Sequence, residues 1–194
     1  MEFAIQTGMR RGEIFGLRWQ DVNFETQIVS IRQTLQRYKQ KGYQIREVPK
    51  TTGSRRSVAI AHSVVQLLKK IKKQQAKNWS QWGSAYDDWD LVFAREDGRP
   101  MDMNNMTNEF ATLIKQLDLS HFRFHDLRHS HASLLLQQGE HPKVISERPG
   151  HSFITITMNA YSHLIPNMQQ KAAQKLDDFL SNHMLDTNKN PLSH

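Results

Sequence analysis

The chain contains no cysteine among its 194 residues, which excludes disulfides and thiolate metal sites and suits a reducing cytoplasm. Long apolar runs are missing too. No uninterrupted one exceeds four residues, against the roughly 20 that a membrane-spanning helix requires, and none resembles the core of a signal peptide. There is no internal repeat, no low-complexity tract and no glycine-rich loop of the kind that cradles a nucleotide. Negative charge is scarce: 19 Asp plus Glu stand against 26 Lys plus Arg, for a net charge of +7 and a pI near 9.7. That balance favours a polyanionic partner. The rest of the composition, 38% hydrophobic and 23% charged, is that of a globular protein able to bury a substantial core, most simply as one domain. The expectation is a soluble cytoplasmic protein with no membrane partner.

The opening MEFAIQTG reads as the last turn of a helix closed by Gly8. A domain rarely begins there, so a further segment is expected upstream. In RRGEIFGLRW, Ile14, Leu17 and Arg18 recur at helical spacing, and DVNFETQIVSIRQT alternates around a polar turn as a hairpin does. A second alternation, YQIREVPKTTGSRRSVAIA, predicts two short strands joined by the turn TTGS, and together these strands make one small sheet. From Ser63 the register changes. Val64, Leu67, Leu68 and Ile71 share one side of SVVQLLKKIKKQQAKNW and five lysines lie elsewhere, the pattern of a basic amphipathic helix. NWSQWGSAYDDWD reads as an aromatic-rich loop and LVFAREDGRP as a short strand and turn. Further helices are predicted over 104–118, 124–138, 142–148 and 166–183, and the final DTNKNPLSH reads as disordered. The fold class is mainly α with a small antiparallel β-sheet (α+β).

Histidine is concentrated in one place. Four of the ten fall between His121 and His131, and His121, His125 and His129 repeat every fourth residue, a spacing that on a helix can chelate zinc. Arg128 changes that reading, because it points to the same side as His125. A fixed cation there repels a divalent metal but helps an imidazole grip an anion. Both residues sit near the start of a helix, where free N–H groups and the macrodipole also favour negative charge. His131 instead falls in line with Leu127, Leu134 and Leu135 and reads as a hydrogen-bonded core residue.

In chain order, TGMRRGEIFGLRWQD, PKTTGSRRSVAI, HDLRHSHAS and ERPGHSFITITMNAYSHL resemble the boxes of the tyrosine recombinases, and among them the phage and conjugative-element integrases. The specificity lies in the combination: a T-G-x-R-x-x-E box, a turn lysine, H-x-L-R-H, then G-H with a tyrosine ten residues after that histidine. The resemblance implies the integrase catalytic-domain fold and a site-specific recombinase, an enzyme that cleaves and rejoins duplex DNA through a 3′-phosphotyrosyl intermediate without metal or ATP. Carried over residue by residue, it makes Tyr161 the nucleophile and Arg10 and Arg128 the clamp on the phosphate. It makes Lys50 the acid that protonates the departing 5′-oxygen. Of His125 and His151, one assists proton transfer from the tyrosine and the other donates a hydrogen bond to the phosphate. These roles fit the chemistry, since attack builds negative charge on the non-bridging oxygens and a planar, permanently charged guanidinium meets two of them at once. Because the protein–DNA ester conserves the bond, strand exchange is nearly isoenergetic and needs no nucleotide.

Other readings use the same residues. Arg10 can pair with Glu13 as an ordinary helix salt bridge, although beside an intact box Glu13 is expected to orient Arg10. Lys41, Arg55 and Arg56 are further cations near Lys50. A type IB topoisomerase would relax DNA with the same site, and a non-catalytic DNA-binding remnant is a reading left open by the missing N-terminal domains and by Pro149, where integrases of this type usually carry leucine. A zinc hydrolase lacks the H-E-x-x-H carboxylate. Residues 1–183 are expected to form the catalytic domain, without the family's N-terminal DNA-binding domains, and 184–194 a flexible tail. Ile165, Met168, Ala172, Leu176, Phe179 and Leu180 recur at steps of three and four on a helix from about Pro166. That stripe either packs on its own domain or docks on a neighbouring protomer. The expected partners are double-stranded DNA at attachment sites and further copies of the chain, a homotetramer on paired sites that is monomeric when free.

Overall fold

The computed structural model describes residues 1–48, 55–119, 121–150 and 168–187. The first helix, α1 (Glu2–Thr7), ends at Gly8, whose φ of 64° is left-handed and whose N–H bonds back to Ala4. This is the glycine closure read from the sequence. α2 (Arg11–Phe15) follows at once and lies so near the strand behind it that a Cβ on Gly16 would stand 2.7 Å from the Leu35 nitrogen. The box T-G-x-R is thereby held between a tight turn and a strand.

The strands form two sheets, which corrects the expectation of one. β1 (Val22–Asn23), β2 (Ile28–Ile31) and β5 (Arg56–Ala59) make an antiparallel sheet in the order β1-β2-β5. β3 (Gln33–Tyr38) and β4 (Gly42–Glu47) form a separate hairpin, in register from Gln33↔Glu47 to Tyr38↔Gly42. The strand after TTGS therefore pairs with β2, Val29 opposite Val58, and not with the strand before it. The reason is burial: Val29, Ile31 and Val58 enter the core, whereas β4 offers only the half-buried Tyr43 and Ile45. Residues 49–54, with Lys50 among them, lie outside the described residues.

α3 (His62–Trp82) is amphipathic as read, with Val64, Val65 and Leu68 buried and its five lysines exposed. The segment after it makes isolated bridges, Arg18 with Leu91 and Ala94 with Pro100, where a short strand was expected. α4 (Met103–Gln116) begins on Asp102, whose carboxylate accepts the N–H groups of Asn104 and Asn105. α5 (Asp126–Gln137) and α6 (Pro142–Glu147, with proline at its first turn) complete this part. Phe3, Ile14, Val29, Leu68, Val92, Phe110 and Leu127 share one core, around which helices α1 to α5 and the three-stranded sheet are packed, and Phe15, Leu35 and Met103 form a second cluster at the β3–β4 hairpin. On α5 the stripe is completed by Leu136, buried, and not by Leu134, which is 48% exposed.

The chain groups into two compact units, Met1–Thr157 and Met158–His194. The second holds α7 (Met168–Thr187), which continues beyond the boundary expected at 183 and exposes Leu176, Phe179 and Leu180. No helix among the described residues is long and apolar enough to cross a membrane.

His131 is the hydrogen-bonded core histidine expected from its place on the stripe. Its Nδ1 lies 2.8 Å from the Ile5 carbonyl oxygen, and its Nε2 accepts from Arg148 Nε at 3.2 Å, an arrangement that defines the neutral Nδ1–H tautomer. Burial, and after it the positive charge of Arg148, pushes its pKa down to about 4. The unfolded chain, with histidine near 6.5, takes up a proton that the folded chain refuses. Stability is therefore full above that value and falls by about 3 kcal/mol as the pH drops from 6.5 to about 4. In urea titrations across this range, the stability gap between the wild type and His131→Asn should narrow as the pH falls. A gap independent of pH would show that His131 does not titrate with unfolding.

Candidate active site

Arg10 precedes the first turn of α2, and Glu13, one turn on, reaches back to it. The Glu13 carboxylate accepts the Arg10 backbone N–H at 2.8 Å and its Nη1 at 3.0 Å, which is the orienting contact expected of Glu13. The same two oxygens accept Nη1 and Nη2 of Arg56, on β5, at 3.0 and 2.8 Å. Glu13 and Arg56 have side chains only 5% and 7% exposed. Burial alone would raise the Glu13 pKa, but the hydrogen bonds and charge of Arg56, with those of Arg10 behind them, outweigh it and hold the carboxyl below its ordinary value.

Arg128 enters from the first turn of α5. It is 3% exposed and its Nη1 donates to the Gly8 carbonyl at 2.9 Å, so a side chain that the sequence placed off the apolar stripe is sunk beneath the end of its helix. Burial lowers its pKa to about 9, helped by the charges of Arg10 and Arg56 and opposed by Glu13. Arg10 and Arg56 thus bind one carboxylate, and Arg128, which feels the charges of all three, keeps its proton at neutral pH.

His125 stands at the start of α5, its ring 5.4 Å from that of His129 in an edge-to-face contact. Partial burial lowers its pKa, and the charges of His129, Arg128 and Arg10 act in the same direction. At neutral pH it is an imidazole able to accept a proton. Beyond Arg10 opens a cleft of about 790 Å³ that presents Arg10, Arg11, Arg37 and Lys39 and no carboxylate. Arg11 is fixed there by Thr107 at 2.7 Å. Among the described residues, no three His, Cys, Asp or Glu side chains are placed to share a metal ion.

Of the residues singled out from sequence, Arg10, His125 and Arg128 come together; Lys50, His151 and Tyr161 lie outside the described residues. The sequence reading offered Arg56 only as a further cation near Lys50 and gave Arg148 no role, yet both have specific partners in the structure. Arg56 shares the inward face of β5 with Val58, and an arginine pointing inward from a strand demands a buried carboxylate, a signal that alternation alone could have raised. Arg148, just after α6, donates to His131 and to the Gln6 carbonyl at 3.0 Å. Pro149, the departure from the integrase pattern, is itself fully buried. The turn closes around it, Arg148 N–H bonding to Val144 and Gly150 N–H to Ser146.

Residues 1–168 match the phage integrase family. Among relatives, a tyrosine recombinase XerC-like protein of Caldanaerobacter subterraneus is 32% identical over 185 residues, which cover 90% of this chain and 47% of the relative. The ICEBs1 integrase of Bacillus subtilis is 33% identical over 177 residues, 91% of this chain and 47% of that protein. The chain spans about half the length of these relatives. Among solved structures, the Tn1549 transposon integrase in complex with circular intermediate DNA aligns with a TM-score of 0.74 at 26% identity, over 89% of this chain and 57% of the other.

Glu13→Gln replaces a buried anion by a neutral amide while two guanidiniums remain. It should destabilise the fold by about 3–5 kcal/mol at neutral pH, read from the urea midpoint. The folded carboxyl titrates below its ordinary 4.5, so its contribution is complete above that pH and is lost as the pH falls through the folded value. The difference between the two proteins should fade in that acid range, and a constant difference would place the loss in packing instead.

Proposed function

The chain belongs to the phage integrase family, and from that premise we propose that it is the catalytic part, residues 1–183, of a site-specific tyrosine recombinase. Its substrate is duplex DNA at the attachment sites of a prophage or other mobile element, integrated or excised by strand cleavage and rejoining. The observation that carries the reading is the convergence of Arg10, Arg128 and His125, each within reach of the others' charge, beside the buried carboxylate of Glu13. A phosphodiester brings negative charge to such a group of fixed donors, and a phosphorane-like transition state brings more of it. Preorganised donors of this kind are worth about 10²–10³ each in rate, because they need no rearrangement as charge develops.

In the proposed reaction the Tyr161 oxygen attacks phosphorus and the bond to the 5′-oxygen breaks. The tyrosine proton leaves with the help of His125, and Lys50 protonates the departing oxygen. His151 donates to a non-bridging oxygen. The reverse attack by a 5′-hydroxyl restores the phosphodiester, so no energy source is consumed. The basic cleft beside Arg10 supports a path for the DNA backbone, and the Tn1549 integrase bound to circular intermediate DNA supports a mobile-element substrate. We further propose that the protein works as a homotetramer on paired sites, with the exposed Leu176 and Phe179 of α7 docking on a neighbouring protomer.

The test is covalent trapping on a nicked duplex spanning the ends of the chain's own mobile element. Tyr161→Phe should abolish the protease-sensitive protein–DNA adduct while DNA binding stays close to that of the wild type; an adduct formed by this variant would sink the nucleophile assignment. A second outcome concerns the histidines. Wild-type cleavage should persist in EDTA, without stoichiometric zinc by elemental analysis, whereas loss on chelation with recovery on adding zinc would assign the His121–His131 cluster to a metal.

A further inference from the structure

We propose that Arg56 is a positioning residue that sets the register between the Arg10 side of the site and the segment Arg148–Gly150, which leads directly into His151. The inference rests on the recombinase reading and goes beyond it, to a residue outside the carried-over constellation. Arg56 uses both faces of its fork. Nη1 and Nη2 bind the two Glu13 oxygens at 3.0 and 2.8 Å, while Nε donates to the Arg148 carbonyl at 2.7 Å. One rigid plane thus ties β5 to α2 and to the end of α6, partners 43 and 92 residues away in sequence.

Each partner is committed further. Glu13 orients Arg10, and Arg148 sends its own guanidinium to His131 and to Gln6 at the end of α1. His131 in turn bonds Ile5 on the same helix, and Arg128 bonds the Gly8 carbonyl just past it. The two proposed clamp arginines are therefore attached to one polar network, and Arg56 is its link to the histidine-bearing segment. With a side chain 7% exposed and three donors engaged, Arg56 has no part in touching DNA. A lysine can supply its charge but not its plane, since a single ammonium cannot meet two carboxylate oxygens and a carbonyl in fixed directions.

A merely structural ion pair predicts lost stability with an unchanged rate; a positioning role predicts a lost rate at retained affinity. The experiment is single-turnover cleavage of the nicked duplex by the whole chain, comparing wild type, Arg56→Lys and Arg56→Met. Arg56→Lys should keep a cooperative urea transition and its half-saturating DNA concentration within about twofold, while its cleavage rate at saturation falls about 10²-fold, as expected for a displacement of about 1 Å at the reacting groups. Arg56→Met should add a pH signature. Without its main partner the buried Glu13 protonates more readily and releases Arg10, so this variant's rate should decline more steeply than the wild type's as the pH is lowered below 7. A wild-type rate in Arg56→Lys, or a loss confined to affinity, overturns the inference. If both variants fail to fold, arginine-labelled NMR of the wild type decides: an Arg56 Nε–H that exchanges freely with water overturns it, and a protected one upholds the grip. The failures are separable, since a wild type that forms no Tyr161 adduct removes the recombinase reading itself, whereas a wild-type adduct with an undiminished Arg56→Lys rate removes only this inference.

Discussion

A carboxylate as deeply buried as Glu13 loses several kcal/mol of hydration, and it persists as an anion only because cations replace the water. Arg56 does this bidentately from β5 and Arg10 from the turn before α2. The solution has a consequence beyond stability. Arg128, arriving from α5, brings a third guanidinium that feels the charges of Arg10, Glu13 and Arg56. Its pKa drops to about 9 by burial and then by Arg10. Guanidiniums fixed in place by the fold, before any ligand arrives, are what electrostatic preorganisation means in structural terms.

What the sequence disclosed and what it concealed divide along the range of the interactions. Local features were legible: the glycine closure at Gly8, the amphipathic face of α3, the start of α6 at Pro142, and His131 on the apolar side of α5. Each depends on residues within a turn or two of one another. Strand partnership was not legible, because the choice of β2 over β4 as the neighbour of β5 is made by burial of Val29 and Val58, which only the assembled core decides. The same limit applies to the site. The Arg10–Glu13 pair spans three residues and was expected; the Arg56–Glu13 pair spans 43 and was not. Arg128 was assigned a chemical role by its box while its depth beneath α5 escaped periodicity, since a charged residue off the apolar stripe reads as exposed until its partners are known. Lys50, His151 and Tyr161 stand on box spacing alone.

Pro149 brings these threads to the segment before His151. A proline in place of leucine removes a backbone donor and narrows the backbone choices of the residue before it, and on sequence grounds that looked like damage. The surroundings argue otherwise. Pro149 fills a fully buried position, so the space a leucine would occupy is not left as an open cavity. Arg148 is held on both sides of its backbone, its carbonyl by Arg56 and its side chain by His131 and Gln6. The turn therefore does not depend on the lost N–H for its place in the fold. Long-range arginine contacts hold this segment beside the local bonds to Val144 and Ser146, which shifts sensitivity away from residue 149 and onto the arginines. By the same reasoning, a segment held by guanidinium forks is constrained in direction as well as distance, and direction is what a proton donor or a phosphate clamp must deliver.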